Sequence, residues 1–122
     1  MATHDRYLVA RVYDAGDDAG HRILIDRLWP RGLTKEAVGV EVWLKDVAPS
    51  NELRKWYGHD PDKYAEFTDR YHAELAGEKQ REALRTLREL SGTVTLLTSA
   101  KEVELSHATV LAELLNGAGG TA

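Results

Sequence analysis

The run RILID, residues 22–26, constrains this chain most. A short, largely apolar run between turn signals reads as a buried strand. It ends on an acid and passes directly into RLWPRG (27–32), where two arginines flank Leu-Trp-Pro ahead of a glycine. Pro30 biases Trp29 away from helical backbone, so this stretch reads as a loop. A buried strand needs partners, and three other runs offer them. RYLVARVY (6–13) is rich in β-formers, and TVTLLT (93–98) follows a Ser-Gly turn. VEVWL (40–44) alternates, with Val40, Val42 and Leu44 on one face and Glu41 and Trp43 on the other.

Between and after these strands the period changes to that of helices. Ser50 or Asn51 is a plausible N-cap for NELRKWY, and Gly58 suits the left-handed position after its end. Leu53, Trp56 and Tyr57 then share a face. Asp60 and Pro61 open a second helix with Tyr64, Phe67, Tyr71 and Leu75 on one side, and Gly77 interrupts it. Ala83, Leu84, Leu87 and Leu90 mark a third. SHATVLAELL (106–115) is the last, with Val110, Leu111, Leu114 and Leu115 facing the core. Thr34 is a candidate cap for a helical turn over residues 35–38. The order predicts a small single α/β domain over residues 1–115, with a mostly parallel sheet of three to four strands and flanking helices. Residues 116–122, NGAGGTA, read as a flexible tail. The turn-rich connection DAGDDAGH (14–21) allows either a hairpin or a parallel crossover between the first two strands, and periodicity does not choose.

Composition narrows the function classes. The chain has 122 residues, 30% of them charged, and a net charge of −4. Proteins that grip a duplex through its phosphates usually carry the opposite balance, so nucleic acid is an unlikely partner. There are no cysteines. Thiolate nucleophiles, disulfides and cysteine-ligated metals are therefore excluded. The five histidines show no metal-ligand spacing, no phosphate loop or dinucleotide fingerprint is present, and no cofactor is expected. The N-terminus has no signal-peptide pattern and no run spans a membrane, so a cytoplasmic protein is expected.

Three stretches carry possible chemistry. From Arg22 to Lys35 there are four basic residues and one acid, a local excess of +3 in 14 positions. Arg27 and Arg31 follow a strand end, where ligands gather in open α/β sheets. Two guanidiniums there suit a phosphate or carboxylate, Asp26 would orient one of them, and Gly32 would allow close backbone approach. The alternative is a structural turn with Trp29 capping the core. LLTSAKEVELSH (96–107) places Lys101 and His107 beyond another strand end, with a helix N-terminus nearby. His107 is the natural proton-transfer group there, or else a semi-buried cap histidine. Ser99 lacks the context of a nucleophile elbow. In WLKDVAPSNELRKWYGHD (43–60), Lys45, Asp46, Arg54, His59 and Asp60 interleave with Trp43, Trp56 and Tyr57. That pattern fits an aromatic pocket edge or a plain amphipathic helix.

RILIDRLWPRGL, VWLKDVAPSNELRKWYGHDPDKY and TLLTSAKEVELSHATVLAELL together resemble the YeaO-like bacterial proteins of the domain-of-unknown-function family 488. The resemblance runs from about Arg11 to Leu115. It implies a parallel α/β arrangement, which would bring Arg27, Arg31, Lys101 and His107 to one sheet edge. By the same resemblance, Asp26 and Arg27 match an early D-V-R-type motif, and Lys101 and His107 match a late motif. Thr98 and Ser106 stand where distant relatives carry cysteine, so thiol chemistry is not available here. The run E-V-E-L-S-H departs from the acidic, His- and Asn-bearing pattern of other members, which weakens a proton-relay or metal role. No established catalytic residues carry over from the family. The resulting expectation is a pocket for a small anion. Arg27, Arg31, Trp29, Gly32, Asp26 and Lys45 would bind it, and His107 and Lys101 would act on it if there is a reaction. The alternative is a non-enzymatic binding or regulatory module that contacts protein or nucleic acid through the basic RLWPRG loop.

Overall fold

A computed structural model describes residues 6–13, 20–34 and 39–117. Four strands form one parallel sheet in the order β1-β4-β2-β3: β1 (Tyr7–Arg11), β2 (His21–Leu24), β3 (Val42–Trp43) and β4 (Val94–Thr98). Every residue of β4 is buried. That is the expected fate of a strand in a parallel sheet covered on both faces, and here it takes Thr95 and Thr98 inside along with Val94, Leu96 and Leu97. β1 and β2 both pair with β4, in registers Tyr7↔Val94 and His21↔Val94. They are therefore parallel and separated by a strand, which settles the hairpin alternative against itself. Gly20 sits at the entry to β2 with φ +92°, and a Cβ there would come within 2.2 Å of the Thr93 carbonyl oxygen. Only glycine allows β2 to start this close to β4.

β3 is shorter than VEVWL suggests, and its alternation breaks. Val42 and Leu44 pack with the helices, but Val40 joins Trp43 on the other side of the sheet. Gly39 has φ +68°, so the chain is still turning as it reaches the sheet and Val40 is not on strand backbone. The candidate turn at residues 35–38 and the connection at residues 14–19 lie outside the described residues, as do residues 118–122 of the expected tail.

Four helices follow: α1 (Asn51–Tyr57), α2 (Tyr64–Glu74), α3 (Glu78–Glu89) and α4 (His107–Leu115). Ser50 is the N-cap of α1, accepting the Leu53 N–H at 3.1 Å, and Gly58 ends it with φ +53°. Pro61 opens a short 3-10 turn that leads into α2. Ser106 caps α4 by accepting the Ala108 N–H. The helices bury Leu53, Phe67, Tyr71, Leu87 and Leu111 against Val9, Ile23, Ile25 and Leu96 of the sheet. Among the described residues, the opposite face is smaller and carries no helix. There Val12, Leu24 and Leu97 are covered by Trp29, Leu33, Val40 and Trp43. The edge strand β1 is closed by Asn116, whose side-chain oxygen accepts the Tyr7 N–H at 2.9 Å and whose amide donates to the Tyr7 carbonyl at 3.0 Å. A side chain thus does there what a neighbouring strand would do. Among the described residues, no helix is long and apolar enough to cross a membrane.

Candidate functional site

The carboxyl ends of β2 and β4 deliver the site. The ladder continues past β2 through the Ile25 N–H, which donates to the Leu97 carbonyl at 3.1 Å. Asp26 therefore emerges beside Thr98 and Ser99, at the sheet edge where α/β folds collect ligands. A cleft of about 580 Å³ opens there. Its floor includes Asp26, Thr98, Ser99 and His107. The wall from α1 and the segment before it brings Ala48, Pro49 and Tyr57, and Phe67 of α2 lies behind them.

Asp26 is buried, at 8% exposure, and its carboxylate is saturated. Oδ1 accepts the Thr98 hydroxyl at 2.8 Å. Oδ2 accepts the Ser99 N–H at 2.7 Å and the Ser99 hydroxyl at 2.8 Å. A buried carboxylate is tolerable only with such partners. The Asp26 carbonyl is also engaged, by the Trp43 indole N–H at 2.7 Å. His107 Nε2 lies 2.9 Å from the Ile25 carbonyl and 3.4 Å from Asp26 Oδ1. Both neighbours only accept, so Nε2 carries the proton. Burial pushes the His107 pKa down. Asp26 and the Ile25 carbonyl oppose that shift, the Arg54 charge adds to it, and the net direction is downward. The imidazole is thus a neutral donor, locked edge-on to the Tyr71 ring at 5.9 Å.

Arg27 lines the cleft, but part of its guanidinium is committed. Nε donates to the Pro49 carbonyl at 3.1 Å and an Nη to the Ala48 carbonyl at 3.3 Å. It straps the β2 exit to the segment that leads into α1. Lys101 lines the cleft from the loop after β4, and is exposed. The sequence-derived set therefore divides. Asp26, Arg27, Lys101 and His107 come together, whereas Trp29, Arg31, Gly32 and Lys45 are not among the lining residues. Trp29 packs edge-to-face on Trp43 at 5.5 Å, on the sheet face opposite α1 to α4, and its indole donates to the Leu33 carbonyl. Arg31 is exposed, and its carbonyl accepts the Tyr13 hydroxyl. Gly32 has φ +76° and open space around it, so the turn itself calls for glycine. Lys45 lies over the Trp43 ring at 5.1 Å.

Residues outside that set complete the cleft: Arg54, Lys55 and Tyr57 on α1, and His59 just after it. Arg54 and His59 had stood out in the aromatic-rich 43–60 stretch, but linear spacing cannot say which charges of a helix face a cleft. Tyr57 stacks on Phe67 at 4.3 Å, and its hydroxyl donates to the Leu105 carbonyl at 2.7 Å, pinning the loop that carries Lys101. Burial, with smaller contributions from Tyr64, Glu102 and Asp60, raises the Tyr57 pKa, so it remains a donor. Ser99 donates to Asp26, whereas nucleophilic activation by histidine would require it to face His107. Among the described residues, no cluster of three or more metal-ligating side chains forms.

No solved structure matches this chain. Uncharacterised proteins of Mycobacterium bovis and Mycobacterium tuberculosis are each 49% identical to it over 120 residues, covering 96% of this chain and 99% of theirs. The uncharacterised protein YeaO of Escherichia coli is 42% identical over 106 residues, covering 86% of this chain and 92% of its own. The family model described as the inactive DUF488-N3 subclade matches residues 7–120. With that match spanning every strand and helix among the described residues, the chain belongs to the DUF488 family.

Proposed function

We propose that the protein binds a small anion, a phosphate or a carboxylate, in the cleft at the carboxyl ends of β2 and β4, without transforming it. One observation carries this reading. In a chain of net charge −4, Arg27, Arg54, Lys55 and Lys101 border one cleft whose acids are Asp26 and Glu102. Asp26 is already held by Thr98 and Ser99. Among the described residues, no ion pair engages Arg54, Lys55 or Lys101. Cations gathered in a concave, partly apolar site favour an anionic guest. Binding without turnover is supported by the placement of the protons: Ser99 donates to Asp26 and His107 Nε2 donates to Ile25, so the histidine does not face the serine hydroxyl. The description of the matched subclade as inactive points the same way.

Thermal denaturation at low salt tests the reading. The ligands are phosphate, sulfate and small carboxylates, and the proteins are wild type, Arg54→Ala, Lys101→Ala and Arg31→Ala. A ligand at about 100 times its dissociation constant stabilises by roughly 2.7 kcal/mol. For a chain of this size each kcal/mol raises the melting temperature by roughly 3–6 °C, so the full rise is about 8–16 °C. The expected outcome is a rise in wild type and Arg31→Ala that is reduced in Arg54→Ala and Lys101→Ala. Loss of the rise in Arg31→Ala alone would move the anion site to the RLWPRG loop. No rise with any anion in folded wild type would remove the proposal.

A further inference from the structure

The cleft has a second property beyond its charge, and it bears on the body of the ligand rather than its head. The polar groups of its floor are satisfied within the protein. Asp26 takes Thr98 and Ser99, Nε2 of His107 takes the Ile25 carbonyl, and the Ser106 hydroxyl donates to Val103 and accepts from Ala108. The Tyr57 hydroxyl is spent on Leu105. A ligand rich in hydroxyl groups would find few free partners there, and polar groups buried without partners bind poorly. The walls are of another kind. Ala48, Pro49, Tyr57 and Phe67 are buried and apolar, with the two aromatic rings stacked within 17° of parallel. Leu28 lines the same cleft with 65% of its surface exposed, the largest exposure among the big apolar side chains described. The exposed cations Arg54, Lys55 and Lys101 stand at the rim around it.

We infer, on the basis of the anion-binding reading above, that the ligand is amphipathic. It is a small acid whose carboxylate or phosphate meets the rim cations and whose flat apolar body lies against Leu28, Pro49 and Tyr57. Apolar contact with such a body gives Leu28 the cover the fold withholds, since burial of that side chain is favourable wherever a partner surface exists. The deep donors of the β4 exit cannot serve the anionic head, because the protein's own Asp26 carboxylate already fills them. The head is therefore left to the rim, and the apolar body to the walls.

Matched ligand pairs test this by calorimetric titration of the full chain: acetate against phenylacetate, and phosphate against phenyl phosphate. Benzyl alcohol serves as the uncharged body. The expected result is at least about tenfold tighter binding of each aryl acid than of its parent anion, and weaker binding of benzyl alcohol than of either aryl acid; a buried ring is worth that much or more. Leu28→Ser, a change at an exposed site, should weaken the aryl acids several-fold and leave phosphate and acetate unchanged. Equal binding of parent and aryl anions would overturn this inference and leave the anion reading standing. Benzyl alcohol binding as tightly as phenylacetate would overturn the amphipathic assignment by removing the role of charge. No binding of any anion would overturn the reading on which it rests.

Discussion

Asp26 and His107 behave differently from what their types suggest in isolation. The acid was expected to orient an arginine; it instead holds Thr98 and Ser99, while Arg27 turns to the carbonyls of Ala48 and Pro49. Geometry accounts for the exchange. The β2–β4 register sets Asp26 level with the β4 exit, and two backbone-anchored donors lie closer than any long side chain. His107 has its pKa lowered chiefly by burial, so the sign of its contribution to stability is fixed. The unfolded chain takes up the proton first, as pH falls through its ordinary value near 6.5. Stability is therefore fully present above that pH and declines below it, down to the lower folded pKa. Melting temperatures measured from pH 7.5 to 5 should fall more steeply for wild type than for His107→Gln. Parallel profiles would show that the histidine is not titrating as its burial requires.

Helix starts in this chain do more than end a hydrogen-bond ladder. Ser50 caps α1 and also fastens it to α2. Its hydroxyl donates to Glu74 Oε2 at 2.6 Å, and its N–H donates to Glu74 Oε1 at 2.8 Å. Tyr71 of α2 adds a hydroxyl bond to the Val47 carbonyl. These contacts fix the segment 47–50, which forms one wall of the cleft. Sequence reasoning offered Ser50 or Asn51 as the cap, and the structure chooses Ser50. Ser50→Ala should cost about 1–2 kcal/mol, from the lost cap and the lost hydroxyl bond to Glu74 Oε2. Asn51→Ala, at an exposed position bonded only to Arg54, should stay within about 0.5 kcal/mol. Urea midpoints of the two variants compare them directly, and equal midpoints would place the cap elsewhere.

For the molecule as a whole, the sheet has two unequal covers. Helices α1 to α4 supply one core, and the loop carrying Trp29 supplies the other with Trp43. The tryptophan of RLWPRG thus serves packing, while the residue directly after RILID, Arg27, reaches the cleft. Leu97 is fully buried under the loop-side cover. Leu97→Ala should destabilise by about 2–5 kcal/mol, as much as Leu96→Ala on the helix side. Thermal or chemical denaturation of the pair decides this. A loss under about 1 kcal/mol for Leu97→Ala alone would mean that the loop-side cover is loose.

The sequence by itself determined the strands and helices, their approximate limits and the family. The elements rest on local periodicity and capping chemistry, which neighbouring residues carry between them, and the family on the resemblance of whole motifs. RILID read as a buried strand because a short, largely apolar run leaves few other options, and TVTLLT read as a strand from its β-formers after a Ser-Gly turn. Ser50, Gly58 and Pro61 marked helix ends because their backbone and side-chain chemistry acts over three or four residues. Only the tertiary structure decided which strand lies between which, because pairing joins residues about 70 positions apart and leaves no local trace. It alone brought Arg54 and Tyr57 to the cleft with Lys101, and sent Trp29 and Arg31 away from its lining. The composition of a loop does not encode the side of the sheet on which it lies; that follows from register and from which face the helices have already covered.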